Sequence, residues 1–346
     1  MVSSIIHHLY AWFRPTLVAI FYRNIPWNLR WRLLVFQPAI LLTYSIATIQ
    51  CLLHRPFTVE YLPIAPGRYA RALIFKAAGV GRGRALRPLH VNFHAGAFVG
   101  GMPEDHAHFD QLVSQQTGAV VLDVDYRVAP EHVFPAAIDD ADATIKWLRE
   151  NAEERWGADP ALMTTSGFSA GGNLALAVTQ QENCHAPCPT AIKAITTFYA
   201  AINMRLSPWE KPHPPNMPKN DPSKLFLPLF DAYAAPTRAK HLEDPRLSPM
   251  LAKPETLPEC ILLVIPGIDI LVAEQTEFAE RVNKEDSVNG DREVARVEVM
   301  HEKELFHGYL EVPDLVIKRE VKHRAYDRAI QVLRETHEKH GWIWDI

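Results

Sequence analysis

The chain has 346 residues, of which 48% are hydrophobic and 22% are charged, a balance that is typical of a globular protein with a large buried core. Its net charge of -4 argues against a nucleic-acid-binding protein, which would carry a basic surface. The four cysteines are too few and too scattered for a disulfide framework. Cys184, His185 and Cys188 match no common zinc spacing and lack a second pair of ligands, so we predict no metal site and no cofactor.

Residues 1–56 differ from the rest of the chain and are predicted to form a separate segment of apolar helices. No aspartate or glutamate precedes Glu60, whereas arginines alternate there with apolar and aromatic runs. Residues 33–53 carry no charge and are long enough to cross a bilayer as a helix, yet polar residues such as Gln37 and Thr48 dilute their hydrophobicity. The alternatives are a membrane anchor, helices that lie in the membrane interface, and a cap over a hydrophobic pocket.

The same features set the expected location of the protein. A cleaved signal peptide is not expected, because the apolar run is not followed by a small-residue cleavage site near the N-terminus. We therefore expect a cytoplasmic or a membrane-associated protein. In the second case residues 1–55 would make the membrane contact, either on its surface or as an anchor of the endoplasmic-reticulum type.

From Phe57 onward, short β-branched runs alternate with helical periods. Eight runs are predicted to be strands, in the order FTVEYL, YARALIF, LHVNF, AVVLDVDY, LMTTSGF, AITTFYA, CILLVIPG and VARVEVM. The near-continuous apolar run ILLVI is typical of a central strand that is buried on both faces. The alternation predicts an α/β fold over residues 57–346, with a mostly parallel central sheet and helices on both faces.

A proline-rich stretch interrupts this alternation. Ten prolines occur in the 42 residues from Pro208 to Pro249. Proline lacks a backbone donor and blocks regular elements, and long loops in compact domains are often lids or binding loops. We predict a lid-like insertion over residues 201–249, which together with the N-terminal segment covers an apolar pocket.

The sequence Gly167-Phe168-Ser169-Ala170-Gly171 matches G-x-S-x-G, the nucleophile elbow. In this elbow a strand turns sharply into a helix and the serine hydroxyl projects above the sheet. The predicted strand LMTT precedes the motif and the predicted helix GGNLALAVTQQ follows it. This context predicts that Ser169 is a nucleophile and that the N–H group of Ala170 stabilises an oxyanion.

A serine nucleophile needs a base, and the base needs an orienting carboxylate. On a sheet of this kind the chain order is serine, acid, histidine. Asp269 follows the run ILLVI, and His307 follows the predicted strand VARVEVM. Both lie at carboxyl ends of strands, where parallel sheets collect functional groups, so we predict a triad of Ser169, Asp269 and His307.

Several motifs together resemble the hormone-sensitive lipase family of α/β-hydrolases, which includes carboxylesterases and arylacetamide deacetylase. HAGAFVGG is similar to the family's His-Gly-Gly-Gly loop, and DVDYRVAPEHVFP resembles its Asp-Tyr-Arg-x-Ala-Pro-Glu-His block. GFSAGGNLA is similar to the family's elbow, and GIDIL and FHGY are similar to its acid and histidine motifs. The resemblance extends from about His90 to Tyr309 and implies the α/β-hydrolase fold.

Position by position, the resemblance implies that His307 acts as base and then as acid. It also implies that the N–H groups of Gly96, Ala97 and Ala170 form the oxyanion hole. Ala95 and Ala97 stand where the family has glycines. Alanine keeps the N–H donor and is costly only at positive φ, so we expect Gly96 to be the loop position that requires glycine.

The remaining differences from the family pattern, and several charged or histidine side chains, are expected to have structural roles. Phe168 stands where the family often has aspartate, which removes a polar contact near the pocket. The polar insert VNKEDSVNGDRE, residues 282–293, is predicted to be a surface loop. Arg127 and Glu131 are expected to form buried ion pairing that holds their loop. His106 and His108 are expected to be exposed at a helix start.

The expected function is that of a serine carboxylesterase that hydrolyses esters of hydrophobic substrates through an acyl-enzyme. An acyltransferase, lactonase, amidase or lyase on the same fold is the alternative, because pocket shape and water exclusion decide the acyl acceptor. A non-catalytic small-molecule receptor is a further alternative. The presence of His307 counts against it, since receptors on this fold have lost the histidine.

Overall fold

The computed structural model of the protein describes residues 2–53, 55–218, 222–289 and 294–345. Its centre is an eight-stranded sheet with strands β1 Thr58–Ala65, β2 Arg68–Lys76, β3 Arg87–Phe93, β4 Val120–Val124, β5 Ala158–Phe168, β6 Ala194–Phe198, β7 Cys260–Ile268 and β8 Val297–Phe306. The spatial order is β1-β2-β4-β3-β5-β6-β7-β8. Strand β2 runs antiparallel to β1 and β4, and the other neighbours are parallel. The predicted strands and the mostly parallel sheet are confirmed.

Helices cover both faces of this sheet. They are α1 Val2–Phe21, α2 Trp27–Leu53, α3 Ala107–Thr117, α4 Ala136–Trp156, α5 Ala170–Ala177, α6 Leu227–Phe230, α7 Val272–Asn289 and α8 Arg319–Lys339. Successive side chains of a strand point to opposite faces, and the buried strand β7 therefore serves two cores. Ile261 and Leu263 pack in the core that contains α4, α5 and α7, whereas Leu262 packs in the core that contains α3 and α8.

The predicted surface loop at residues 282–293 is wrong over its first part, because helix α7 continues through Asn289. No proline or glycine interrupts residues 282–289, and Val282 is fully buried. Asn283 also bonds the backbone of Val297, donating to its carbonyl at 2.8 Å and accepting from its N–H at 2.9 Å. These contacts extend the helix despite its polar sequence. Residues 290–293 lie outside the described residues.

The N-terminal helices α1 and α2 pack side by side, and Gln37 connects them. Its amide donates to the carbonyl of Trp12 at 2.7 Å and accepts from the N–H of Thr16 at 3.0 Å. In the described part of the chain, no helix has both the length and the apolar character needed to cross a membrane.

Arg14 links helix α1 to the loops that follow β3 and β4. Its guanidinium is buried and donates to the carbonyl oxygens of Val99 and Ala129, at 2.7 Å each, and it forms an ion pair with Glu131. Ion pairing is thus present at both predicted positions, but Arg127 pairs with Asp140 at 2.8 Å and not with Glu131. The partner of Glu131 comes from α1 and the partner of Arg127 comes from α4. The spacing of Arg127 and Glu131 in the sequence therefore does not determine how they pair.

Residues 201–218 and 222–249, called here the irregular segment 201–249, have short helical turns. It contains α6 and 3-10 turns at Pro222–Phe226, Arg238–Lys240 and Pro249–Leu251. Arg246 ties the segment to α4 through Asp139 at 2.7 Å and Asp142 at 2.6 Å. Several of its residues are buried in the core, among them Tyr233, whose ring stacks on Phe98 with centroids 4.0 Å apart.

The buried position of Arg14 makes it a test of how α1 is attached. In Arg14→Met, Glu131 and two carbonyl oxygens lose their buried donor, and we expect the free energy of unfolding to fall by about 3 kcal/mol. Urea denaturation followed by circular dichroism measures this loss. Arg82→Met is the matched control, because Arg82 pairs with Asp345 at a site where both side chains are exposed, and such pairs contribute less than about 1 kcal/mol. Equal stability of the two variants would contradict this account.

Candidate active site

Ser169 occupies the sharp turn between β5 and α5. Its backbone has a φ of 51° and a ψ of -112°, a conformation outside both the strand and the helix regions. The turn brings Gly171 so close to β3 that a Cβ atom there would collide with the carbonyl oxygen of Phe93. The N–H of Ser169 is held by the carbonyl of Phe198 at 2.9 Å. The hydroxyl therefore projects from the carboxyl end of the sheet into a cavity.

The structure brings Asp269 and His307 to the same point. Asp269 follows β7 and His307 follows β8 directly. The Oγ atom of Ser169 lies 2.9 Å from Nε2 of His307, and Nδ1 of His307 lies 2.8 Å from Oδ2 of Asp269. The other carboxylate oxygen of Asp269 accepts from the N–H of Leu271 at 3.0 Å. Because both Asp269 oxygens are engaged, the imidazole of His307 is oriented toward Ser169.

The charges around His307 favour its protonated form. Burial lowers its pKa, but Asp269, Glu311 and Glu274 act in the opposite direction, and the resulting pKa lies above the ordinary value of 6.5. The ring of His307 still faces open space in the cavity, since 39% of its side chain is exposed. His307 can therefore accept a proton while remaining accessible to a ligand.

Two residues that lie beside His307 were not predicted from the sequence. The hydroxyl of Tyr199 donates to Oε1 of Glu311 at 2.8 Å, and the ring of Tyr199 lies 5.0 Å from that of His307. Burial raises the pKa of Glu311. Tyr199 directly follows the strand β6. Its position at the carboxyl end of a strand could have predicted that it lies near the site. Glu311 lies four residues after His307 in the sequence, and this short separation is the only sequence feature that connects it with the site.

The loop after β3 has an unusual backbone. Gly96 has a φ of 132°, and a Cβ atom there would collide with the carbonyl oxygen of Gly100. Ala97 and Phe98 also have positive φ angles, 51° and 58°. Ala97 thus occupies a position of positive φ, where a methyl group is costly. Tertiary contacts hold this conformation: Phe98 is buried against Tyr233, and its carbonyl accepts from Ala129 at 2.6 Å.

The three predicted donors face the same cavity as Ser169. Within the described residues, the N–H groups of Gly96 and Ala97 donate no hydrogen bond to the protein. Ala170 is the first residue of α5, and N–H groups in the first turn of a helix have no partner within it. The N–H groups of all three residues are thus available to a ligand at this wall of the cavity.

Buried side chains support the loop from behind. Nδ1 of His94 bonds the carbonyl of Ala95 at 2.7 Å, and the hydroxyl of Tyr126 donates to the carbonyl of His94 at 2.7 Å. The rings of Tyr126 and His94 are stacked with centroids 4.3 Å apart. On the side of the N-terminal helices, the hydroxyl of Tyr44 accepts from the N–H of Gly101 at 2.5 Å.

The expected exposure of His106 is wrong, although His108 is exposed as predicted. The imidazole of His106 is buried and stacks on Phe168 at 3.8 Å, and its Nε2 accepts from the N–H of Ala95 at 3.1 Å. Phe168 in turn stacks on Phe198 and is fully buried. The apolar residue at this position therefore fills the core that contains α3 and α8, and it is not part of the cavity wall.

The cavity in front of Ser169 has a volume of about 660 Å³, within the usual range of about 300–1,000 Å³ for small-molecule sites. Its wall is mostly apolar. The residues that follow β5, β6, β7 and β8 form one part of it, and Phe36 and Ile40 of α2, the loop after β3 and the irregular segment 201–249 form the rest. Two charged groups of the wall are neutralised by ion pairs, Lys211 by Glu274 and Asp231 by Arg238. Apolar ligands fit this wall.

The described residues, 2–53, 55–218, 222–289 and 294–345, contain no group of three or more His, Cys, Asp or Glu side chains that could bind a metal ion. Cys184 is a free thiol that contacts the guanidinium of Arg149 at 2.9 Å.

Comparison with known proteins finds relatives whose names are those of ester hydrolases and deacetylases. The carboxylesterase/phospholipase LipF of Mycobacterium tuberculosis is 35% identical over 182 residues, which are 53% of this chain and 44% of that protein. Human arylacetamide deacetylase-like 2 is 34% identical over 158 residues, 43% of this chain and 38% of that protein. The chain thus matches less than half the length of either relative.

The solved structure of the esterase LipW from Mycobacterium marinum covers 93% of this chain and 95% of its own, with a TM-score of 0.70 and 20% sequence identity. That similarity is one of fold. A family model described as the alpha/beta hydrolase fold matches residues 90–311. Since this match spans more than half of the chain, the protein belongs to the alpha/beta hydrolase fold family.

Proposed function

We propose that the protein is a serine carboxylesterase that hydrolyses esters of hydrophobic substrates through an acyl-enzyme. The observation that carries the proposal is the continuous contact from Ser169 Oγ to His307 Nε2 at 2.9 Å and from His307 Nδ1 to Asp269 at 2.8 Å. This contact lies at the wall of an apolar cavity. The carboxylesterase and deacetylase names of the two relatives support the same class of reaction.

In the first half of the reaction, His307 accepts the Ser169 proton through Nε2 while Oγ attacks the ester carbonyl carbon. The carbonyl oxygen becomes an oxyanion and receives hydrogen bonds from the N–H groups of Gly96, Ala97 and Ala170. His307 then donates its proton to the ester oxygen, the bond to that oxygen breaks, and the alcohol leaves. Asp269 accepts a hydrogen bond from Nδ1 throughout and stabilises the imidazolium.

In the second half, water replaces the alcohol. His307 accepts a proton from the water as its oxygen attacks the acyl carbon, and the same donors hold the oxyanion. His307 then returns the proton to Ser169 Oγ, and the carboxylic acid is released. An acyltransferase would use the same steps with another acceptor, so product analysis in the presence of added methanol or a primary amine distinguishes transfer from hydrolysis.

Ser169→Ala tests the nucleophile. Without Oγ no acyl-enzyme forms, and we expect the turnover of p-nitrophenyl butyrate to fall by at least about 10⁴-fold. Ser287→Ala is the matched control, because the hydroxyl of Ser287 only bonds the carbonyl of Asn283 on the exposed side of α7. Labelling by a fluorophosphonate, with the adduct located by mass spectrometry, should modify Ser169. Substantial turnover by Ser169→Ala would exclude this mechanism.

The pH dependence tests the base. The pKa of His307 lies above 6.5, so the neutral form is lost as the pH falls through that raised value. We expect the activity to decline toward acid with a midpoint above 6.5. In Glu311→Gln one of the charges that raise the pKa is removed, so this variant should retain more of its plateau activity at pH 6 than the unmodified protein. kcat/KM is measured from pH 5 to 9.

The control for this comparison is Glu304→Gln, which removes an exposed carboxylate three residues before His307. We expect its pH profile to match that of the unmodified protein. If the pH profile of Glu311→Gln also coincided with that of the unmodified protein, Glu311 would have no effect on the pKa of His307.

Gly96→Ala tests the oxyanion loop. A Cβ atom at this position collides with the Gly100 carbonyl, so the loop must shift and its donors move. We expect kcat to fall by about 10²–10³-fold, the usual effect of losing one oxyanion donor. Ala97→Gly is the control, because glycine accepts the φ of 51° at this position and keeps the N–H group. Its kcat should stay within about tenfold of the original; a fully active Gly96→Ala would refute this account.

A further inference from the structure

Helix α2 is apolar on two opposite sides. Leu33, Ile40 and Tyr44 are buried on its inner side. The outer side carries Trp27, Leu34, Val35 and Leu42, whose spacing of seven and eight residues places them on one face. All four are exposed, Trp27 by 73% and Leu42 by 64%. A helix that is apolar all round is expected to be covered on both sides.

Helix α1 extends this surface. Leu9, Phe13, Ile20 and Phe21 are exposed, with Phe21 at 73%, and the spacing of the first three places them along one face of the helix. Helices α1 and α2 pack side by side, so the exposed apolar side chains of the two lie on adjoining helices. We call these eight side chains the docking face. Single exposed apolar residues are common, but a contiguous group marks an interaction site.

Charge identifies the kind of partner. No aspartate or glutamate occurs before Glu60, so the docking face contains no negative side chain. Three arginines follow the end of α1, two of them in the first two turns of α2 and one in the turn between the helices. Arg23 is exposed there, Arg30 donates to the carbonyl of Tyr22 at 2.8 Å, and Arg32 donates to the carbonyl of Leu225 at 2.8 Å. Apolar helices edged by arginine and tryptophan are typical of the interface of an anionic membrane.

We propose that the docking face binds the surface of a bilayer that contains anionic lipids. A second copy of the chain is the less favourable partner, because a two-fold dimer would place this arginine-bearing surface against itself. The cavity lies on the other side of the same helix, since Phe36 and Ile40 line it. Docking would therefore bring the cavity within about one helix diameter, roughly 10–12 Å, of the apolar layer, close to a source of hydrophobic esters.

Vesicle flotation tests the proposal with the full chain. Vesicles of 70% phosphatidylcholine and 30% phosphatidylserine should retain the protein, and vesicles of pure phosphatidylcholine should retain it more weakly. The combined variant Trp27→Gln, Leu34→Gln and Val35→Gln should bind the anionic vesicles at least about tenfold less. Arg23→Gln should bind them about fivefold less, since each basic side chain near an anionic surface contributes about 1 kcal/mol.

The matched control is the combined variant Val80→Gln, Val294→Gln and Leu315→Gln. These side chains are exposed by 89%, 78% and 97% and lie outside α1 and α2, so vesicle binding should not change. Far-UV circular dichroism and thermal unfolding report the folded state of both variants without reference to enzymatic activity. If the docking-face variant misfolds, Arg23→Gln alone decides the test.

Three results would overturn the proposal. The first is a failure of the unmodified protein to bind anionic vesicles, and the second is equal binding by the docking-face and control variants. The third is a dimer in sedimentation velocity that the docking-face substitutions convert to a monomer, which would assign the face to a second copy of the chain. Vesicle binding does not depend on ester hydrolysis, so a failed esterase assay leaves this test intact.

Discussion

Backbone strain at the wall of the cavity is the constraint on which the site depends. Five non-glycine residues of the described chain have positive φ angles, and four of them line the cavity: Ala97, Phe98, Ser169 and Tyr199. A left-handed backbone costs roughly 1–2 kcal/mol per residue, and it persists only where the surrounding structure determines it. The site is therefore a property of the packing around it. The short motifs that reveal it in the sequence do not hold it in place.

The contacts that support the loop after β3 come from the irregular segment 201–249 and from the two N-terminal helices. Tyr233, in the irregular segment 201–249, stacks on Phe98, and Tyr44 of α2 bonds the N–H of Gly101 at the end of the same loop. Arg14 of α1 bonds the carbonyl of Val99. The irregular segment 201–249 and α2 thus have two roles: they line the cavity, and they fix the backbone of the loop that would receive the oxyanion.

The sequence was sufficient where local pattern decides the outcome. Alternating β-branched runs and helical periods predicted all eight strands, and the carboxyl ends of two strands placed Asp269 and His307 beside Ser169. It was insufficient where contacts between distant residues decide. Tyr199 and Glu311 are 112 positions apart in the sequence yet share a hydrogen bond. The burial of His106 and the φ of Ala97 likewise follow from tertiary packing, which no window of neighbouring residues contains.

The electrostatics of the cavity follow from the same packing. Lys211 and Asp231 face the cavity as members of ion pairs, so their charges are largely cancelled. Asp269 and Glu311 both lie close to His307 and raise its pKa. When the proposed base takes a proton from Ser169, the positive imidazolium forms close to both carboxyl groups at a mostly apolar wall, where charges interact more strongly than in water. The apolar wall therefore does more than accommodate a hydrophobic ester, because it also strengthens the interaction that stabilises the protonated base.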